Sequence, residues 1–233
     1  MLPFIRIPFM KNLFSYIICL LIISSCKKDN GPIFYGYHFF PVNEGNYVIY
    51  DVVDIFHDVA LLPAHDTSYY QIKERIGETE MDGEGENYQK LYRYYRLNDT
   101  SAWSLQDVWT IKRTAQTAET LEENKRRISM AFSISYDRFW NYNTLNEDAA
   151  LTARYENIYE PLSLGANSFD STVRVEIENT ISFIEYRRQY TIYASEIGKI
   201  YSVKKDLEIL NSDTTDIKKG TEVYYTAVSF GVE

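Results

Sequence analysis

The chain has 233 residues with 24 Lys and Arg against 33 Asp and Glu, a net charge of −9, and an aromatic content of 15%. That charge sign excludes a basic nucleic-acid surface and electrostatic docking on anionic lipid. Two cysteines, Cys19 and Cys26, exclude a disulfide framework.

The N-terminus supplies an address. Arg6 and Lys11 precede an uncharged run from Asn12 to Ser25, the n-region and h-region of a signal peptide. The apolar centre, Leu13 to Ile23, falls short of the roughly 18 residues that a spanning helix needs. Ile23-Ser24-Ser25-Cys26 then resembles the lipobox of bacterial lipoproteins. The resemblance implies cleavage after Ser25 and acylation of Cys26. Residues 1–25 are thus expected to be a signal peptide and residues 26–33 a lipidated tether. Cleavage removes Cys19 and two basic side chains, so the net charge moves from −9 to −11. Attachment would rest on the acyl chains, at about 0.8 kcal/mol per buried CH₂. Lys27 to Phe34 can reach about 28 Å at most. Ser-Cys-Lys-Lys-Asp at this place is similar to Bacteroidota lipoproteins, which implies the outer membrane, with either face open.

Residues 34–233 carry no Pro/Gly/Ser-rich linker and read as one β-rich domain. Aromatic residues alternate with Val, Ile and Thr, the pattern of half-buried strands. Asn46 to Phe56 places Val48, Tyr50, Val52 and Phe56 on one face, with Asp54 as the exception. Thr67 to Ile76 follows, and Gly83 and Gly85 mark a hairpin turn over 81–87. Further strands are expected over 88–97, 103–112, 127–134, 151–159, 171–177, 181–194, 198–207 and 221–230. Thr114 to Arg126 has a helix-favouring composition, yet Leu121 is its only large apolar residue, so a strand end and a turn around Glu122-Glu123-Asn124 are expected instead. The sum is a mainly β fold with little helix: a curved antiparallel sheet, half-barrel or sandwich-like, with one wet and one dry face.

Phe40-Pro41-Val42-Asn43-Glu44-Gly45-Asn46-Tyr47-Val48-Ile49-Tyr50 is echoed by residues 132–142, with Phe40/Phe132, Tyr47/Phe139 and Tyr50/Tyr142 in register. The echo suggests two similar halves, 39–131 and 132–231, in which the aromatics at 40, 47, 132 and 139 plug corners.

The lipobox, the tether, Phe40-Pro41 with Gly45-Asn46-Tyr47, NKRRISMAFSIS, FWNYNTL, YENIYEPLSL, FDSTVRVEI, YTIYASEIGKIYSVKKDLE and the closing SFG together resemble a group of uncharacterised Bacteroidota lipoproteins over most of residues 34–231. The chain departs from that group at Gly198-Lys199-Ile200-Tyr201, where an apolar run is usual, and at Val48, where Trp is common. The resemblance implies a curved sheet similar to the half-barrels of outer-membrane lipoprotein carriers.

Catalytic signatures are thin. His38, His57 and His65 have no zinc spacing, and neither a GxSxG elbow nor a phosphate loop occurs. His57 and His65 lie near Asp54, Asp58 and Asp66, a weak metal site or general base at best. Asp82, Glu84 and Glu86 alternate with glycines but do not converge as a calcium loop does. Asp66-Thr67-Ser68, Asp99-Thr100-Ser101, Asp170-Ser171-Thr172 and Asp213-Thr214-Thr215 resemble the Asp-Ser/Thr O-glycosylation motif of Bacteroidota, with Thr67, Thr100, Ser171 and Thr214 as acceptors; the same triplets also cap turns. The reading is a non-catalytic binding or scaffold domain, anchored at the outer membrane by its lipid, with no cofactor and no metal. A protein, a glycan or an apolar ligand would be its partner. Carriage of a lipid or other apolar ligand in an aromatic-lined cavity is the alternative, and a glycan-active enzyme the third.

Overall fold

The computed structural model describes residues 35–233; the expected signal peptide, Cys26 and the expected tether lie outside them. One twelve-stranded antiparallel sheet makes the domain: β1 (Asn46–Asp58), β2 (His65–Met81), β3 (Asn87–Arg96), β4 (Ser104–Arg113), β5 (Thr117–Glu122), β6 (Lys125–Ala131), β7 (Phe139–Asn141), β8 (Thr152–Leu164), β9 (Asn167–Ile181), β10 (Glu185–Ala194), β11 (Gly198–Leu210) and β12 (Asp213–Val232). The spatial order is β6-β5-β4-β3-β2-β1-β12-β11-β10-β9-β8-β7. Every neighbour is joined by a short connection except β1 and β12, which pair first strand to last along 13 residues. A single three-residue helical turn, Tyr37–Phe39, precedes β1, and no helix among the described residues is long and apolar enough to cross a membrane.

The sheet curls until its outer strands meet. The Ile128 amide donates to the Tyr142 carbonyl (3.0 Å) and the Trp140 indole donates to the Ile128 carbonyl (2.8 Å), so the expected curved antiparallel sheet is present and its outer strands bring it to a nearly closed barrel. These contacts cover part of the two outer edges, and unpaired edges are a liability in an aromatic sheet.

Turn chemistry explains the hairpins. Glu123 and Asn124 (φ 50° and 61°) connect β5 to β6, and Asn211 and Ser212 (φ 57° and 59°) connect β11 to β12, two-residue turns with both residues left-handed. The expected turn at Glu122-Glu123-Asn124 is therefore present. Residues 117–122, however, are a separate strand, because β4 and β6 on either side satisfy its backbone. The run 181–194 is divided by a turn at 182–184 between β9 and β10, and β12 begins at Asp213, eight residues before the expected start.

Val48, Tyr50 and Val52 are buried on one face as expected, but Phe56 is 43% exposed, since β1 there runs past the covered part of the barrel. The division into a dry and a wet face also needs correction. Glu74 and Arg93 sit buried on the face of Ile72 and Leu91, while Val203 and Leu207 are buried on the other, beside Tyr190, Tyr224 and Tyr186 of the flanking strands.

One end of the barrel is stoppered. Phe39 and Phe40 are buried against Phe132, Ile134 and Tyr193, and the Arg113 guanidinium donates to the Tyr37 and Phe40 carbonyls (3.0 and 2.9 Å). Gly36, at φ 85°, lets this segment lie against Ile134, where a Cβ would come within 2.3 Å. Of the four aromatics expected to plug corners, Phe40 and Phe132 do so, Tyr47 is half-buried and Phe139 is 58% exposed at the start of the edge strand β7.

Candidate functional site

Above the stopper the barrel lines a cavity of about 780 Å³ that is open to solvent, within the range of ligand pockets. Its floor is Phe40 and Pro41, its walls include Leu91, Trp109, Ile111, Tyr142, Tyr193 and Tyr225, and charged side chains surround its far end.

Deep in the wall lies a cluster of ions. The Glu74 carboxylate receives hydrogen bonds from Lys199 Nζ (2.9 Å) and Arg93 Nε (3.2 Å); the side chains of Glu74 and Arg93 are 8% and 7% exposed. The strands dictate this meeting: Glu74 of β2 stands opposite Arg93 of β3, and Arg93 opposite Asp107 of β4. Arg93 stacks on Trp109, 3.7 Å from the ring centroid, donates to the Tyr225 hydroxyl (3.3 Å) and approaches Asp107 (3.5 Å). Lys199 lies over the rings of Tyr50 and Tyr225. Burial alone would push the Glu74 carboxyl up; Lys199 and Arg93 more than offset it and hold it below the usual range. Burial raises the Tyr50 hydroxyl, and Glu74 adds to that.

On the opposite wall three side chains form a row. Glu178 of β9 faces Gln189 of β10, which faces Lys204 of β11. Glu178 and Lys204 make no ion pair among the described residues, in contrast to the other cavity carboxylates: Glu122 pairs with Arg127 (3.2 Å), Asp206 with Arg187 (3.3 Å) and Asp148 with Lys125 (2.6 Å). The wall thus offers a half-buried carboxylate and an exposed ammonium, neither in an ion pair, on either side of the Gln189 amide, which hydrogen-bonds the Tyr142 hydroxyl.

No protein-family model matches the chain, and no curated protein matches it. Among solved structures it is similar to a candidate exported protein with a YmcC-like fold from Bacteroides fragilis NCTC 9343, at 11% identity and a TM-score of 0.43, covering 83% of this chain and 99% of that one.

The residues singled out from sequence lie elsewhere. Cys26 is outside the described residues. Thr67 and Thr214 are exposed at the starts of β2 and β12, Thr100 is exposed in the β3–β4 turn and Ser171 is half-buried within β9. Asp213 Oδ1 accepts from the Thr215 amide and hydroxyl, so one of the four segments caps its own turn, while at Thr100 the cap is Asn98, which precedes the segment and accepts from the Thr100 amide and hydroxyl. Asp82 Oδ1 caps the hairpin by accepting from the Glu84 and Glu86 amides, and Lys112 faces its other oxygen (3.3 Å).

His57 and His65 do meet, Nδ1 to Nδ1 at 2.8 Å, but without the aspartates beside them in sequence. Asp54 and Asp66 belong to the other face of their strands, and Asp58 caps the Ala60 amide. Their carboxylate is Glu222 of β12, 3.0 Å from His57 Nε2. Sequence reasoning missed Glu222 and the Glu74–Arg93–Lys199 cluster. A signal existed for Glu74: it occupies an in-facing position between Ile72 and Ile76, where alternation calls for an apolar residue.

Proposed function

We propose that this chain is an envelope lipoprotein, held at the outer membrane through acylated Cys26, whose barrel binds a polar, saccharide-like ligand without turning it over. The observation that carries the ligand class is the polar row Glu178-Gln189-Lys204 facing the cavity, in which neither Glu178 nor Lys204 is held in an ion pair among the described residues. An acyl chain laid over these groups would strip water from the half-buried Glu178 carboxylate without replacing it, which is unfavourable, while the exposed Lys204 would have to turn away to solvent. Hydroxyl groups donate to the carboxylate and accept from the ammonium, while Trp109, Tyr142 and Tyr225 offer ring faces and edges to the apolar side of a sugar. The polar wall is the reason to prefer this class over an apolar cargo.

Glu74 itself does not suit the part of a hydrolase's acid. A glycosidase requires a carboxyl kept protonated near neutral pH. Glu74 is held ionised in the cavity, and the described carboxyl that burial pushes up, Glu176, lies on the opposite face of the sheet, outside the cavity. Anchoring is supported by the lipobox at residues 23–26.

Isothermal titration with neutral oligosaccharides of three to six units, with oleate as comparator, tests the ligand class. Saccharide binding in the wild type that disappears in Gln189→Trp is the expected result. Oleate binding that disappears in the same variant would overturn the polar reading in favour of a carrier of apolar cargo.

A further inference from the structure

The histidine pair lies on the face of the sheet away from the cavity, and its surroundings are specific. His57 and His65 are direct cross-strand partners on β1 and β2. His57 is 5% exposed and His65 is exposed. Glu222, also buried, accepts from His57 Nε2 (3.0 Å), from Lys205 Nζ (2.7 Å) and from the Tyr224 hydroxyl. A carboxylate has no proton to give, so His57 donates through Nε2 and its Nδ1 carries a lone pair. That lone pair points toward His65 Nδ1, 2.8 Å away, with the two rings inclined at 69°.

This is the carboxylate–histidine arrangement that supports metal-bound imidazoles: the outer carboxylate sets the tautomer and strengthens the ligand. Two nitrogens at about 2.0 Å from one metal ion and at right angles to each other are separated by about 2.8 Å, the cis spacing of a tetragonal complex. We infer that His57 Nδ1 and His65 Nδ1 form a two-imidazole site for a divalent transition-metal ion of tetragonal preference, copper(II), with Glu222 as the positioning carboxylate and solvent at the remaining coordination positions. Among the described residues no group of three or more His, Cys, Asp and Glu side chains could hold a metal ion, so the described residues supply two donors at this site. Tetragonal copper accepts such a set, and it heads the affinity order for nitrogen donors.

Binding requires one proton to move. In the metal-free state His65 Nδ1 holds the hydrogen shared with His57; with copper bound, that hydrogen resides on His65 Nε2. His65 is exposed, so water relays the proton, and none is gained or lost overall. The ion would tie β1, β2 and, through Glu222, β12 together.

The test uses the protein purified from membranes in detergent, in its acylated form, titrated with copper(II) and followed by electron paramagnetic resonance with echo-modulation detection of remote imidazole nitrogens. One copper per chain with a two-imidazole signature at micromolar free metal is expected. His65→Ala, at an exposed position, should bind at least tenfold more weakly and show one imidazole. Glu222→Gln should retain both imidazoles and bind about tenfold more weakly. His38→Ala should match the wild type. Equal affinity in His65→Ala, or no copper bound at micromolar free metal in a wild-type sample whose circular dichroism is that of a folded β protein, overturns the site.

Discussion

Replacing Glu74 by Gln removes the one negative charge shared by Arg93 and Lys199 and leaves the shape of the site almost unchanged. Arg93 is the cation at risk: its side chain is 7% exposed, and the substitution leaves it with a long contact to Asp107 (3.5 Å), the Tyr225 hydroxyl and the Trp109 face. Breaking a buried pair by deleting one partner costs about 3–5 kcal/mol, and Lys199, 25% exposed, can turn to solvent, which favours the lower end, about 3 kcal/mol. For a domain of this size that amounts to a fall in Tm of roughly 6–12 °C. Urea unfolding at pH 7 followed by circular dichroism measures it. The pH dependence has a definite sign. Glu74 is held below the ordinary carboxylate value of 4.5, so the stability it adds is fully present above pH 4.5 and is lost as the pH falls below that value. The gap between wild type and Glu74→Gln should therefore close on acidification. Replacing all three ions by Glu74→Leu, Arg93→Met and Lys199→Met should restore most of the loss, because no unpaired charge is left behind. A loss below about 1 kcal/mol in Glu74→Gln at pH 7 would refute the reasoning, since surface pairs contribute that little.

Tyr155→Phe should cost about 2 kcal/mol in the same assay, because the Tyr155 hydroxyl donates to the Ala131 carbonyl (2.8 Å) and accepts from the Ala131 amide (3.0 Å), and both groups are left unsatisfied in the barrel wall. Gly220→Ala should destabilise by more than about 1 kcal/mol: at φ 127° its Cβ would stand 2.1 Å from the Asp206 carbonyl oxygen, and backbone cannot yield as a side chain can. Gly83→Ala, where nothing lies within 4 Å, should stay within about 0.5 kcal/mol of the wild type. Cys26→Ser should move the protein from the membrane fraction to the soluble fraction, as fractionation and immunoblotting would show.

The strands and turns were largely readable along the chain because their causes are local. Alternation with period two marks β1, β3 and β4 within a residue or two, and the Glu122-Glu123-Asn124 turn was placed on the weakness of Leu121 as a helix core. The three-residue β7 carries too little pattern to be seen, and the turn at 182–184 interrupts an otherwise apolar run. Phe139 shows the limit of a local echo: it matches Tyr47 in sequence but lies on an edge strand and faces solvent.

Composition, charge and the N-terminal motif determined the expected address of this protein, and periodicity determined that it is an antiparallel β domain. Closure of the barrel was decided only by tertiary structure, since it depends on β6 meeting β7 after the curvature of twelve strands has accumulated. The same holds for the sites. Glu74 reaches Lys199 across 125 positions of the chain and His57 reaches Glu222 across 165. Electrostatic pairing acts through space at a few ångströms, so a charge in a strand has its partner named by sheet register and not by its sequence neighbours.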